Sequence, residues 1–410
     1  MELKDLYGNS ADRDVFSKRI EQLIAEFERV TGEKPESFFS SSGRAEICGN
    51  HTDHNHGKVI VSAISCDIFA AVKKRDDGII SVHSAGFPSF SLNIDELEVC
   101  KEEYGKSVAL TRGVVRAIKD RGYKVGGFTA VTESTIFRGA GVSSSAAFEL
   151  LISEILNQLY LGGVLSKVDK AIISQFAEDV YFGKPCGLLD QSGISLGGMN
   201  EIDFENPASP QIESLNAPAG YTLVITNTGG SHAALTEHYA AIKSEMKEVA
   251  QFFGKSVLRE VPYEQFFGSI SELRKKVSER AILRAFHFYE ENERVDKAAA
   301  ALRTGNTKEF LSAISASGIS SLNSLQNCFV PGSSEQPVVL AIHMSERLIK
   351  DGAVRIHGGG FAGTILAYLA DVEVQNYVKE MSKVFGAENV FTASVRKLGA
   401  TQLNIEELLR

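Results

Sequence analysis

Four stretches of the 410-residue chain carry groups able to do chemistry. The first runs Gly43-Arg44-Ala45-Glu46-Ile47-Cys48-Gly49-Asn50-His51-Thr52-Asp53-His54-Asn55-His56-Gly57. Its Asp side chain can accept hydrogen bonds from vicinal sugar hydroxyls, and its Asn and His side chains can donate or accept. His51, Asp53, His54 and His56 are also possible metal ligands, although their spacing matches no standard zinc site. A solvated loop would explain the polarity but not the apolar flanks. The second stretch is Gly139-Ala140-Gly141-Val142-Ser143-Ser144-Ser145-Ala146-Ala147. Its small residues let a backbone approach a ligand closely, and a helical run follows at once. A helix start with exposed N–H groups favours an anion without any basic residue, although a plain Gly/Ser helix start has the same composition. The third is Gly183-Lys184-Pro185-Cys186-Gly187-Leu188-Leu189-Asp190-Gln191, where one acid follows an apolar pair. The fourth is Arg355-Ile356-His357-Gly358-Gly359-Gly360-Phe361-Ala362-Gly363, a tight backbone between two apolar strands.

These stretches need elements to hold them. Hydrophobic spacing predicts helices over 11–31, 107–121, 146–160, 166–181, 234–253 and 338–350, and a helical pattern over 262–304. Val-, Ile- and Ala-rich residues 58–74 predict long strands, with shorter ones at 79–83, 90–92, 127–134, 221–226, 353–357 and 364–370. A last strand is expected around Val395, and Gly187 to Leu196 reads as a short helix or turn. Pro207, Pro210 and Pro218 in a polar stretch mark a boundary, giving domains 1–210 and 211–410. Mixed helices and strands in this order indicate an α+β protein of two domains.

Composition narrows the classes of function. Hydrophobic residues make up 43% and charged residues 23%, ordinary values for a globular protein. A net charge of −9 argues against nucleic-acid or anionic-membrane partners while leaving room for a local anion pocket. The five cysteines are widely spaced without a C-x-x-C pair, so neither a disulfide framework nor a cysteine-based zinc site is expected. No apolar run reaches membrane-spanning length, and the N-terminal residues lack the apolar core of a signal peptide. The cytoplasm is the expected compartment.

Taken together and in order, the four stretches resemble the galactokinase branch of the GHMP small-molecule kinases. The first is similar to the signature G-R-x-N-x-x-G-E-H-T-D-Y-N, the second to the phosphate loop P-x-G-x-G-L-S-S-S-A, the third to G-I-M-D-Q and the fourth to G-G-G-F-G-G. Asn227, His232 and Tyr239 echo N-x-N-x-x-H-x-L-x-x-x-x-Y, and Ser321, Ser324 and Leu325 echo S-H-x-S-L. The resemblance implies the two-domain GHMP fold, with a C-terminal ferredoxin-like domain, and transfer of the ATP γ-phosphate to the anomeric hydroxyl of a hexose. By position, Asp190 would be the catalytic carboxylate and Arg44 its partner. Asn50, His51, Asp53, Gly187 and Tyr239 would meet the sugar. Gly139, Ala140, Gly141, Val142, Ser143, Ser144, Ser145 and Ala146 would hold phosphate. Ser144 or Ser145 and Glu178 would bind Mg2+, and Gly358, Gly359 and Gly360 would close the site. Sugar and ATP are the expected partners, and a monomer is expected.

Departures from the pattern bear on the sugar. The signature Glu is Asn50 here, its Asn is Glu46, and its Tyr is His54. In the family that Glu sits near the carbon-6 hydroxyl, and galacturonate kinases likewise lack it and carry a His after the Asp. A uronate would be repelled by Glu, tolerated by Asn and attracted by a protonated His, which makes galacturonate the second candidate after galactose. The chain contains no Trp, and Ser107 stands where one often lines the adenine pocket. Two other classes compete. A non-catalytic sugar sensor would be marked by loss of the small residues after the triple Ser, yet Ser145-Ala146-Ala147 is intact. A metal hydrolase on His51–His56 would need stoichiometric zinc.

Overall fold

The structure is a computed structural model. It describes all residues except 9–10, 137–140 and 230–234, and the side chain of Thr236. Among the described residues, twelve strands form two sheets. In chain order they are β1 (Ser37–Cys48), β2 (Lys58–Arg75), β3 (Ile79–Ser84), β4 (Phe90–Asn93), β5 (Gly127–Ser134), β6 (Met199–Asp203), β7 (Gln211–Leu215), β8 (Tyr221–Asn227), β9 (Gly352–His357), β10 (Thr364–Ala370), β11 (Val390–Ala393) and β12 (Thr401–Leu403). The larger sheet runs β12-β1-β2-β5-β3-β4, with β6 on β2 and β7 on β6. Its spine is β2, 18 residues long, which pairs with β6 over Lys58–Ser62 and with β5 over Ile68–Arg75.

Both faces of that sheet are covered, which is why β2 reads as an almost unbroken apolar run. Ala70, Val72 and Ala130 face a core with the helices Ser107–Asp120 and Ser144–Tyr160. Phe69, Ala71 and Val131 face Phe16, Ile20, Leu23 and Phe27 of the helix Arg13–Thr31. That helix starts where Asp12 caps the N–H groups of Asp14 and Val15, and it stops at Gly32 in the left-handed conformation.

The smaller sheet runs β11-β8-β10-β9, antiparallel throughout, in the ferredoxin-like order. Val224, Ile365 and Ala367 pack on the helices Pro337–Leu348 and Asp371–Phe385. The opposite face, with Ile225, Leu366 and Tyr368, packs on the helices Glu279–Thr304 and Thr307–Ser320 and joins the core of the larger sheet. The two halves therefore share one apolar core, and the α+β class matches the expectation.

Several local expectations change. The sheets do not part at residue 210: β7 lies beyond it yet pairs with β6, and β12 returns from the C-terminus to pair with β1. Val395 makes a single bridge to Ile64 instead of centring a strand, because the chain there crosses from one sheet to the other. Residues 262–304 divide into Tyr263–Gly268, Ile270–Leu273 and Glu279–Thr304, the last capped by Ser278. The polar stretch from Glu36 to Ser42, which leads into Gly43-Arg44 in the sequence, is largely strand: Ser40, Ser41 and Ser42 are fully buried and pair with β2, and Ser40 also pairs with β12. No helix among the described residues is long and apolar enough to cross a membrane.

Candidate active site

Arg44 lies on β1 just past a register shift between Ser42 and Gly43, where β2 bulges at Ser65 and Cys66. A Cβ at Gly43 would stand 2.9 Å from the Cys66 sulfur, so the bulge requires glycine beside the arginine. Arg44 is buried. Its Nε donates to Asp190 Oδ1 at 2.7 Å, and its Nη1 donates to the Gly141 carbonyl. The Arg44 N–H meets the Val142 carbonyl at 3.1 Å. Ser143 sits in the left-handed region with φ 62° at the start of the helix Ser144–Tyr160, and its hydroxyl donates to the second Asp190 oxygen. Burial works against the charge on Asp190, but Arg44, Lys184 and the Ser143 hydroxyl outweigh it and hold the carboxyl below the usual aspartate value.

Ser145, two residues further, donates to Glu178 Oε1 at 2.7 Å. Glu178 sits in a π-helical turn, Ala177–Tyr181, that ends the helix Lys167–Phe176 and brings the buried acid toward the loop. Lys184 Nζ meets the same Oε1 at 2.8 Å, and Gln191 Nε2 meets Oε2 at 2.7 Å. Ser144 is exposed, and Ala146 is buried against the core. Gly141, at φ 65°, lies against Thr364, whose hydroxyl would be 2.2 Å from a Cβ there. Gly139 and Ala140 lie outside the described residues. The unpaired N–H groups of the first helical turn point toward the same space, as at any helix start. Ser145 and Glu178 supply hard oxygen donors 2.7 Å apart, a set that fits Mg2+, and Ser144 takes no part in it.

Asp53 belongs to a short 3₁₀ turn, Asp53–Asn55, in the loop between β1 and β2. Its Oδ2 accepts the N–H of Leu189 at 3.2 Å, the residue before Asp190, and its Oδ1 accepts the N–H of His54 at 2.9 Å. A Cβ at Gly187 would fall 1.7 Å from Asp53 Oδ2, so glycine is what lets the two loops meet. Burial raises the Asp53 pKa. His51, with φ 57°, places Nε2 3.0 Å from the Gly359 carbonyl. Tyr239 donates to the Gly360 carbonyl at 3.0 Å, its ring lies where a Gly359 side chain would be, and burial lifts its pKa to about 12. Gly358 packs near Arg44 and the Gly141 carbonyl. The fourth stretch thus touches the first, the second and Tyr239.

Asn50 behaves differently from the expectation. It is fully buried. Its Nδ2 donates to Glu46 Oε1 at 2.7 Å and to the Gly358 carbonyl at 2.9 Å, and its Oδ1 accepts from Asn327 Nδ2 at 2.8 Å. Both amide hydrogens are taken, so the side chain is a tie between β1 and the glycine run. Glu46 in turn pairs with Arg355 at 3.0 Å. His54 also departs from the expectation. Burial, with His51 and Lys243 adding to it, drives its pKa well down, so it is neutral and supplies no cation for a uronate. The zinc alternative finds no site: among the described residues no three His, Cys, Asp or Glu are grouped to hold a metal.

Some participants were not singled out in the sequence. Glu149, fully buried in the helix behind the loop, shares Gln191 Nε2 at 3.3 Å, and burial beside Glu178 raises its pKa well above the usual value. Glu291 accepts from the Gly49 N–H at 2.9 Å and pairs with Arg294 at 2.6 Å. His287 meets the Asn50 carbonyl at 2.9 Å, so it is interior packing and not surface. His357 accepts the Glu46 N–H at 3.1 Å and lies 3.1 Å from the Thr364 hydroxyl, filling space between β1 and the phosphate loop. Asn227 meets Asn389 at 3.3 Å, Ser321 lies 3.4 Å from Asn50 Oδ1, and His232 lies outside the described residues.

Residues 25–74 match the galactokinase galactose-binding signature, and residues 109–198 match the GHMP kinases N terminal domain. A galactokinase from Actinobacillus pleuropneumoniae serotype 5b is 31% identical over 349 residues, 82% of this chain and 85% of that protein. The chain belongs to the galactokinase family. A galactokinase from Streptomyces coelicolor is 29% identical over 366 residues, 88% of this chain and 92% of its own. The crystal structure of Lactococcus lactis galactokinase complexed with galactose superposes with a TM-score of 0.82 at 24% identity, covering 94% of this chain and all of the other. A mevalonate kinase structure superposes at 0.61 with 14% identity, covering 88% and 99%. Against the galactokinase signature, amide and carboxylate have changed places: Glu46 stands at its Asn and Asn50 at its Glu. The two are in direct contact, so this galactokinase-family member retains one acid and one amide but turns the acid toward Arg355.

Proposed function

We propose that the protein is an ATP-dependent sugar 1-kinase that phosphorylates the anomeric hydroxyl of galactose. The observation that carries this is the Arg44–Asp190 pair at 2.7 Å, set at the N-terminus of the helix Ser144–Tyr160 with Asp190 held ionised. A sugar hydroxyl is a weak nucleophile at neutral pH, and a carboxylate placed beside it accepts its proton as attack proceeds. Arg44 and Ser143 take one Asp190 oxygen each, which fixes the carboxylate plane and leaves further lone pairs for the hydroxyl. Arg44 also offsets negative charge where the phosphoryl group passes. The loop from Gly141 to Ala146 binds the triphosphate through backbone N–H groups. Ser145 and Glu178 would hold Mg2+, which would neutralise phosphate charge. His51, Asp53, Gly187 and Tyr239 orient the sugar, Asp53 also holding the turn that carries Asp190.

Galacturonate is the second acceptor, favoured by one observation: the acid at the signature pair faces Arg355, leaving an amide at position 50. A coupled ADP assay with galactose, galacturonate, arabinose, galactosamine and N-acetylgalactosamine tests both. ADP formation dependent on galactose and Mg2+ is expected, and turnover of Asp190→Ala should fall about 10²- to 10⁴-fold while sugar binding persists. Sugar and ATP binding without ADP from any acceptor would instead describe a sensor.

A further inference from the structure

We infer that Lys184 is a nucleotide-phosphate ligand held in reserve on Glu178, released to the phosphates when a metal ion takes its place. The inference rests on the ATP-dependent reading above. Glu178 Oε1 already accepts from Ser145 at 2.7 Å and Lys184 at 2.8 Å, and Oε2 accepts from Gln191 at 2.7 Å. A carboxylate oxygen carries two in-plane lone pairs, so a cation bound to Glu178 Oε1 together with Ser145 must displace the ammonium. Two positive charges on one oxygen would also repel.

The lysine is built to move. Its backbone N–H is anchored to the Glu178 carbonyl at 3.1 Å, between Gly183, with φ 77°, and Pro185. Its side chain is 58% exposed along its length, whereas Glu178 is 1% exposed and fixed in the π-helical turn. Ser145 sits within a helix and cannot follow. From Glu178 the ammonium already acts on the charge of Asp190, which accepts from Ser143 of the loop Gly141–Ala146. The anion available to it there is the triphosphate on the loop Gly141–Ala146. A flexible ammonium is the side chain suited to follow a phosphoryl group that changes position. Lys184 would thus keep the buried Glu178 paired before nucleotide arrives and add one cation to the phosphates afterwards.

Calorimetric titration of ATP in saturating Mn2+, of ATP in EDTA, and separately of Mn2+ without nucleotide, tests this on wild type, Lys184→Met, Lys184→Gln and Lys184→Arg. In saturating Mn2+, Lys184→Met and Lys184→Gln should bind ATP about tenfold more weakly than wild type, the loss of one charge-assisted contact, and in EDTA within about twofold of it. Both should bind Mn2+ more tightly, since the competitor for Glu178 is gone, and Lys184→Arg should keep ATP affinity in Mn2+ within about twofold of wild type. ATP binding by both neutral variants equal to wild type in saturating Mn2+ would overturn the inference, leaving Lys184 a structural partner of Glu178. Wild type that binds no ATP at all would overturn the kinase reading instead, so the two failures are distinguishable.

Discussion

The proposed phosphate side and the proposed sugar side of the site are built on opposite principles. On the phosphate side, Asp190 accepts from Arg44 and Ser143 and Glu178 accepts from Ser145, Lys184 and Gln191, and one of these partners, Lys184, is exposed. Charge stands ready there, and the groups that balance it can be exchanged. On the sugar side, Asn50 has both its amide hydrogens and its carbonyl oxygen taken by protein, and two ion pairs, Glu46–Arg355 and Glu291–Arg294, stand beside it. The first arrangement suits a reaction in which charge moves. The second suits a wall whose shape must not change, because each buried valence left open costs free energy. A substitution on the phosphate side should therefore cost rate, whereas one on the sugar side should cost stability.

Asp190→Ala gives the largest effect on that contrast, losing turnover by the factor given above while its melting temperature stays near wild type. Unfolding of that variant would erase the distinction. Asn50→Glu comes next. It places a second acid against Glu46 in a buried site, and the stability loss should be about 3 kcal/mol, the scale of an unbalanced buried charge. Glu46→Asn/Asn50→Glu restores one acid and one amide and should recover most of it; a thermal double-mutant cycle showing no coupling would mean that the contact carries nothing. Gly187→Ala probes the junction of the two sides. Its Cβ displaces Asp53 and with it the Leu189 N–H, so kcat/KM should fall about 10²-fold through misplacement of Asp190.

The smallest effect is in pH. Burial lowers the His287 pKa from 6.5 to about 4, and His54 and His357 are also driven well down. Each is neutral in the folded protein and takes a proton more readily when unfolded. The unfolded state therefore binds more protons below 6.5, and stability should fall as pH drops from 6.5 toward 4. His287→Gln should make that slope shallower in melting curves taken across the window.

Legibility in the sequence follows the same divide. The strands at 127–134 and 364–370 were readable to the residue, and the main helices nearly so, because their periodicity is local. Arg44 and Asp190 come together as their motifs implied, as do Ser145 and Glu178. The serines before Arg44 read as a polar stretch because nothing local records that β12 and β2 flank them. Glu149 and Glu291 gave no signal, being single acids in helical patterns whose importance lies in what crosses from elsewhere.

By itself the sequence determined the α+β class, most helices and strands and a helix start rich in small residues, since these depend on neighbours along the chain, while the acid and the arginine were marked by their motifs. Only the tertiary structure decided that Asn50 faces Glu46, Gly358 and Asn327, that His54 is neutral, and that Lys184 rests on Glu178. The physical reason is that hydrogen-bond valence and charge state belong to a site assembled from distant segments. A residue type lists what a side chain can offer; burial and partners fix what remains available to a ligand.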